Sequence, residues 1–126
     1  MNVNFPIFIP SKGRSDNCLT ANLLKEAGIN FSIVVEPQDY EAYREAYGEK
    51  ALVRMDKNNM GMSYARNFCR DYSISKDQEF HWQIDDNIKN FRIRENKKNI
   101  IKSPLEVLSP PESFVKGHTN VSMACL

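Results

Sequence analysis

Apolar residues concentrate in four short runs, at residues 5–10, 31–35, 51–55 and 80–84, each shorter than a typical helix and bounded by polar or glycine-bearing stretches. Helical spacing fills the gaps between them. Thr20, Leu23, Leu24 and Ala27 form one face, with Ser15 or Asp16 placed to cap it and Gly28 to stop it. Tyr40, Tyr43 and Tyr47 recur at i, i+3 and i+7 between Pro37, suited to a first turn, and Gly48; the stripe reads as packing. Met62, Ala65, Cys69 and Tyr72 share a third face, with Arg66, Asn67 and Arg70 off it.

Strand, helix, strand, helix, strand, helix, strand predicts βαβ units. The fold class expected is α/β, a Rossmann-like and mostly parallel sheet with helices on both faces. Ligands of such sheets sit outside the carboxyl ends of the strands, where strand order reverses. The segments that follow strands, residues 11–14, 36–37, 56–61 and 85–90, hold most of the polar oddities. Those that follow helices, Gly28-Ile29-Asn30 and Gly48-Glu49-Lys50, are short and plain. That asymmetry predicts a site on one edge.

Beyond residue 90 the pattern thins. Phe91-Arg92-Ile93-Arg94 alternates, as a strand exposed on one face does, and residues 89–102 carry Lys89, Arg92, Arg94, Lys97, Lys98 and Lys102 against Glu95 alone. Such a run is ordinarily a solvated face, with steering of a polyanion as the other reading. Ser103-Pro104-Leu105-Glu106 is a capping box with proline at the first helical position, and Ser109-Pro110-Pro111 is expected to end that helix soon after. The start, Met1-Asn2-Val3-Asn4-Phe5-Pro6, reads as a first strand and not as a signal peptide. The apolar tail at 120–126 reads either as a chain cut inside a larger fold or as a final strand.

Length and composition narrow the class. The 126 residues make one domain, 1–126, with a core at 1–95 and an extension at 96–126. A net charge of +1 argues against a strongly basic nucleic-acid binder, and no run approaches a membrane span. Cys18, Cys69 and Cys125 are odd in number and lack a C-x-x-C pair, so the expectation is a reduced, cytoplasmic protein with Cys18 and Cys69 as small core residues.

The chemistry centres on Phe80-His81-Trp82-Gln83-Ile84-Asp85-Asp86-Asn87, an apolar strand running into two carboxylates and an amide. Such a tip suits Mg²⁺ or Mn²⁺, which take oxygen ligands and keep positions for substrate phosphates. A plain turn is the competing reading, since Asp and Asn also leave strands. Lys12, Arg14, Glu36, two asparagines, Gly61 and Arg66 fall on the same expected rim, a set suited to a nucleoside diphosphate. No G-x-G-x-x-G follows the first strand and no P-loop occurs. His81 reads as a hydrogen-bonded structural residue; His118 is a weaker candidate for a metal.

Ile9-Pro10-Ser11-Lys12-Gly13-Arg14, Val34-Val35-Glu36-Pro37, Asn59-Met60-Gly61-Met62-Ser63-Tyr64-Ala65-Arg66-Asn67 and Ile84-Asp85-Asp86-Asn87 together resemble the nucleotide-sugar-binding half of glycosyltransferase-A-fold enzymes. The texture is most similar to the phage TET-associated glycosyltransferases. The resemblance implies a transferase of hexosyltransferase type using a UDP-sugar, with hydroxymethylated pyrimidines in phage DNA as acceptor, acting in the host cytoplasm. It places Pro10, Ser11, Lys12 and Arg14 in the nucleotide pocket, Glu36 near uracil or ribose, and Asn59, Gly61 and Arg66 along base and diphosphate. Asp85 would contact ribose, and Asp86 would hold Mn²⁺ or Mg²⁺ with Asn87 at the third position of the D-x-D motif. Asn87 departs from the acidic residue usual there. The half that carries the acceptor site and catalytic base in such enzymes is expected to be largely missing, so no base is named. The competing expectations are an inert nucleotide-binding or interaction module and a small DNA-binding protein using residues 89–102.

Overall fold

The computed structural model describes residues 3–126. Its elements are β1 (Ile7–Pro10), α1 (Leu19–Glu26), β2 (Ser32–Val35), α2 (Tyr40–Tyr47), β3 (Leu52–Arg54), α3 (Met62–Ser75) and β4 (Trp82–Gln83). They are followed by β5 (Phe91–Glu95), β6 (Lys98–Lys102) and α4 (Pro104–Lys116). Strands β3-β2-β1-β4 form one parallel sheet in that order, with Phe8 opposite Ser32, Ile33 opposite Leu52 and Ile7 opposite Trp82. Succession runs outward from β1 through β2 to β3, then returns to the other side of β1. The switch point therefore lies between β1 and β4, where the rule for open sheets puts a ligand.

Period-two alternation explains the two core layers. Ile7 and Ile9 face one side with Ile33, Val35, Leu24, Tyr43 and Leu108, under α1, α2 and α4. Phe8 faces the other with Val34, Val53, Ala65 and Cys69, under α3. Phe8 is 2% exposed, and burying such a ring stabilises the fold by about 2–3 kcal/mol. Cys18 and Cys69 are buried in these layers, and all three cysteines are free. No helix among the described residues is long and apolar enough to cross a membrane.

Several local expectations are corrected. α1 starts at Leu19 with Cys18 at its N-cap and no side-chain cap from Ser15 or Asp16. The loop after β4 does that work: Thr20 N–H donates to the Asp86 carbonyl at 3.3 Å, Thr20 Oγ1 donates to the Asp85 carbonyl, and Ile88 N–H donates to Thr20 Oγ1 at 3.0 Å. Met62 is 55% exposed, and the buried face of α3 is Ala65, Cys69 and Ser73. The fourth strand is only Trp82–Gln83, extended in hydrogen bonding by Ile84 N–H to Phe8 O at 3.0 Å.

The basic run is a whole hairpin: β6 pairs antiparallel with β5, Phe91 opposite Lys102 through Glu95 opposite Lys98. The capping box at Ser103 forms, but α4 passes through Pro110 and Pro111 to Lys116. The two missing N–H bonds are outweighed by burial of Leu108, Glu112 and Val115. Glu112 accepts from Asn4 N–H at 2.8 Å, Phe5 N–H at 2.9 Å and the Trp82 indole at 2.9 Å, which ties α4 to the sheet. Residues 121–126 form no strand. The first strand begins at Ile7; Met1 and Asn2, also read as its start, lie outside the described residues.

Candidate functional site

Parallel strands must release their chain on one edge, so the four loops after β1, β2, β3 and β4 meet there. Ser11 leaves β1 with its N–H on Val34 O at 3.0 Å. Its hydroxyl donates to Asp86 at 2.7 Å and lies 2.6 Å from the Tyr43 hydroxyl, which also accepts the Arg14 N–H at 2.9 Å. The carboxylate takes the serine proton, so the tyrosine proton must point at Ser11. The order is Arg14 N–H to Tyr43, Tyr43 to Ser11, Ser11 to Asp86. Burial pushes the Tyr43 phenol up, which keeps that proton in place. The Arg14 guanidinium stands 3.7 Å from the second Asp86 oxygen.

Glu36 organises the β2 side. It is 6% exposed. Burial favours its neutral form, but the Asn59 N–H at 2.8 Å, the Gln38 amide at 2.6 Å and the Lys12 ammonium at 3.5 Å outweigh that and hold the carboxyl below its ordinary range. Lys12 also donates to Asn59 Oδ1 at 2.6 Å, joining the β1 loop to the β3 loop. Asn59 adopts a φ of +59° and Gly61 one of +89°. A Cβ on Gly61 would meet nothing within 4 Å, so the backbone conformation and not crowding within the chain demands glycine there.

On the β4 side Arg66, one turn into α3, donates to Asp85 at 2.8 Å. Gln83 steadies it, its amide donating to Arg66 O at 3.2 Å. Both partners of the pair are about half exposed, at 43% and 56%, so it contributes little to stability and is free to open. Asn87 is exposed in a turn with Asp86 and has no side-chain partner among the described residues. Pro10 is buried at the end of β1.

The rim therefore joins Asp86 with Ser11 and Arg14, Glu36 with Lys12 and Asn59, and Asp85 with Arg66. No hydrogen bond links Glu36 to either aspartate; the 11–14 loop stands between them. Among the described residues no three His, Cys, Asp or Glu side chains cluster as a metal cage. Asp85, Asp86 and Asn87 instead offer hard oxygens with unused lone pairs, a set that fits Mg²⁺ or Mn²⁺ completed by phosphates. His81 lies off this rim with burial pushing its pKa down, 3.1 Å from Gln83. The His118 ring packs on Phe114 and its Nδ1 lies 2.7 Å from the Phe114 carbonyl, away from the rim.

Sequence reasoning missed Tyr43, Thr20 and Gln38. Tyr43 belonged to the stripe read as packing, and it is packing: fully buried, with only its hydroxyl at the site. Its one available signal was a phenol on a face otherwise bound for the core.

The family model described as TET-Associated Glycosyltransferase matches residues 5–126. No curated protein and no solved structure matches the chain.

Proposed function

The chain belongs to the TET-associated glycosyltransferase family, and from that glycosyltransferase identity we propose a metal-dependent transfer from a UDP-sugar to a hydroxymethylated pyrimidine of phage DNA, in the host cytoplasm. The observation that carries the donor half is the meeting of Ser11, Arg14 and Asp86 at the β1/β4 switch point, with Arg66–Asp85 beside it. Nucleoside diphosphates need that combination of cations, hydroxyls and metal-binding carboxylates within one crevice.

Asp86, with Asn87 and the outer oxygen of Asp85, would hold Mn²⁺ or Mg²⁺, which supplies Lewis-acid stabilisation of the departing diphosphate. Arg14 and Arg66, each paired with one of these carboxylates, would take phosphate oxygens of the donor. Glu36, held ionised, would accept hydrogen bonds from ribose or uracil, and Lys12 and Asn59 would close the base side. Pro10 and Gly61 shape the backbone beneath.

Calorimetric titration of UDP with and without Mn²⁺ tests the reading. Binding should require the metal, and Asp86→Ala should abolish the requirement together with most of the affinity, on the order of 100-fold. Binding indifferent to both metal and Asp86 counts against it. Metal-dependent binding of UDP without turnover of any UDP-sugar would favour an inert nucleotide-binding module.

A further inference from the structure

Only Ile88, Lys89 and Asn90 separate Asn87 from β5, so the β5–β6 hairpin springs directly from the rim. One of its faces carries Phe91 and Ile93, and Phe91 is 8% exposed in the core beside Leu108. The register puts Arg92 beside Ile101 and Arg94 beside Asn99 on the opposite face. All four are exposed, Ile101 by 63%. Arg92 meets only Asn90, at 2.9 Å, and Arg94 and Asn99 have no side-chain partner among the described residues. The one acid of the hairpin, Glu95, lies on the other face and is neutralised by Lys102 at 3.6 Å. Asn96 and Lys97 hold φ of +49° and +65°, as a tight, twisted type I′ turn needs, and Lys97 and Lys98 make its tip cationic.

We propose that this face of the β5–β6 hairpin is a docking surface for duplex nucleic acid, laid into the major groove beside the donor site. It deepens the acceptor side of the transferase reading, on which its purpose rests. The charge is complementary to a polyanion and unopposed on this face. The shape also fits: strands about 4.8 Å apart make a ribbon that a groove about 12 Å wide admits. The residue types divide the work: Arg92 and Arg94 suit the phosphate oxygens that flank the groove, while Asn99 suits an adenine edge and Ile101 a pyrimidine methyl group. Substituents on C5 of a pyrimidine point into that same groove, which would bring them toward the rim from which the hairpin emerges.

The test uses the whole chain with a fluorescent DNA duplex, the matching single strand, and vesicles containing anionic phospholipid. Wild type should bind the duplex in preference to the other two. Arg92→Ala with Arg94→Ala should weaken duplex binding about tenfold and lower the magnitude of the log–log salt slope by about 1.8, the effect of two lost phosphate contacts. Tight vesicle binding in place of duplex binding, equal affinity for the single strand, or an unchanged salt slope in the double variant would each overturn the proposal. Metal-dependent UDP binding should be the same in both proteins. Arginine-dependent duplex binding without UDP binding sinks the donor reading alone, whereas UDP binding without arginine-dependent duplex binding sinks this inference alone.

Discussion

Two carboxylate systems sit at opposite edges of one sheet and are built in opposite ways. Where the strands begin, Glu112 is 1% exposed and its two oxygens serve three neutral donors from the chain before β1 and from Trp82. Where the strands end, the Asp85 side chain is 56% exposed and meets Arg66, while Asp86, 16% exposed, keeps one oxygen on Ser11 and the other, farther off, toward Arg14. A buried, saturated carboxylate is a joint and has nothing left to offer a ligand. An exposed one whose cation partner leaves at small cost can hand its oxygens to an incoming ion. Concavity and convergent polar chemistry fall on different edges of the sheet. A pocket of about 500 Å³ opens at the strand-start edge, lined by Pro6, Ile7, Lys25, Ile29 and Lys50 among others. The helices favour the other edge, since α1 and α3 present their positive N-terminal ends there and α1 carries Lys25 in its last turn.

The sharpest way to break the comparison is to remove one carboxylate from each system. Glu112→Ala orphans three donors and should cost about 3 kcal/mol, read as a lower urea midpoint at unchanged slope. Asp86→Ala should cost only about 1 kcal/mol, for the Ser11 hydroxyl it leaves without an acceptor, while metal-dependent UDP binding disappears. If Glu112→Ala is silent in stability, or Asp86→Ala unfolds the chain, the division into joint and site is wrong.

Tyr43→Phe comes next because it deletes one hydroxyl and keeps the buried ring. Ser11 then loses the donor that orients it toward Asp86, and the Arg14 N–H loses its acceptor. About 1 kcal/mol of stability should go, along with roughly tenfold in UDP affinity measured with Mn²⁺. A purely structural role would lower the midpoint and leave the nucleotide affinity, and its dependence on Mn²⁺ concentration, untouched.

Glu36 adds a pH dependence to the same contrast. Folding lowers its pKa, so its contribution is fully present above the ordinary value of 4.5 and is lost as pH falls through the lower folded value. Glu36→Gln should therefore be less stable than wild type at neutral pH by about 1 kcal/mol, and the two unfolding curves should converge in acid. A gap that persists unchanged at the lowest pH at which both proteins fold would show that the charge is not what Asn59, Gln38 and Lys12 stabilise.

Much of this architecture was legible in the residues. The unbroken apolar run before Pro10 announced a strand buried on both faces, and the order of strand and helix forced the loops at Ser11, Glu36, Asn59 and Asp85 onto a shared edge. The capping box at Ser103 was equally plain, because its signal spans four residues. What stayed hidden depends on partners remote in sequence. Two prolines argued that α4 should stop, and the reason it does not is Glu112, whose backbone donors lie 107 and 108 residues away. α1 has its Thr20 N–H capped by the backbone carbonyl of Asp86, far downstream, which no cap motif encodes. In residues 98–102 charge masked the strand: Ile100 and Ile101 are adjacent, so the run lacks a clean alternation, and only pairing with β5 defines it.

The smallest effect belongs to the pocket at the strand-start edge, and it discriminates between two ways of locating a site. If volume governs, Lys25 and Lys50, the cations that line it, should matter to an anionic ligand. If convergence governs, they should not. Lys25 belongs to the C-terminal turn of α1, where a positive charge offsets the helix dipole, and such a contribution is worth about 0.3–1 kcal/mol. Lys50 lies on an exposed turn after α2. Lys25→Ala with Lys50→Ala should therefore shift the urea midpoint by less than about 1 kcal/mol equivalent and leave UDP affinity within roughly twofold, with or without Mn²⁺. A loss of nucleotide binding comparable to that of Asp86→Ala would move the donor site to the strand-start edge. The polar network at Ser11, Tyr43 and Asp86 would then be a second structural joint, of the same kind as Glu112.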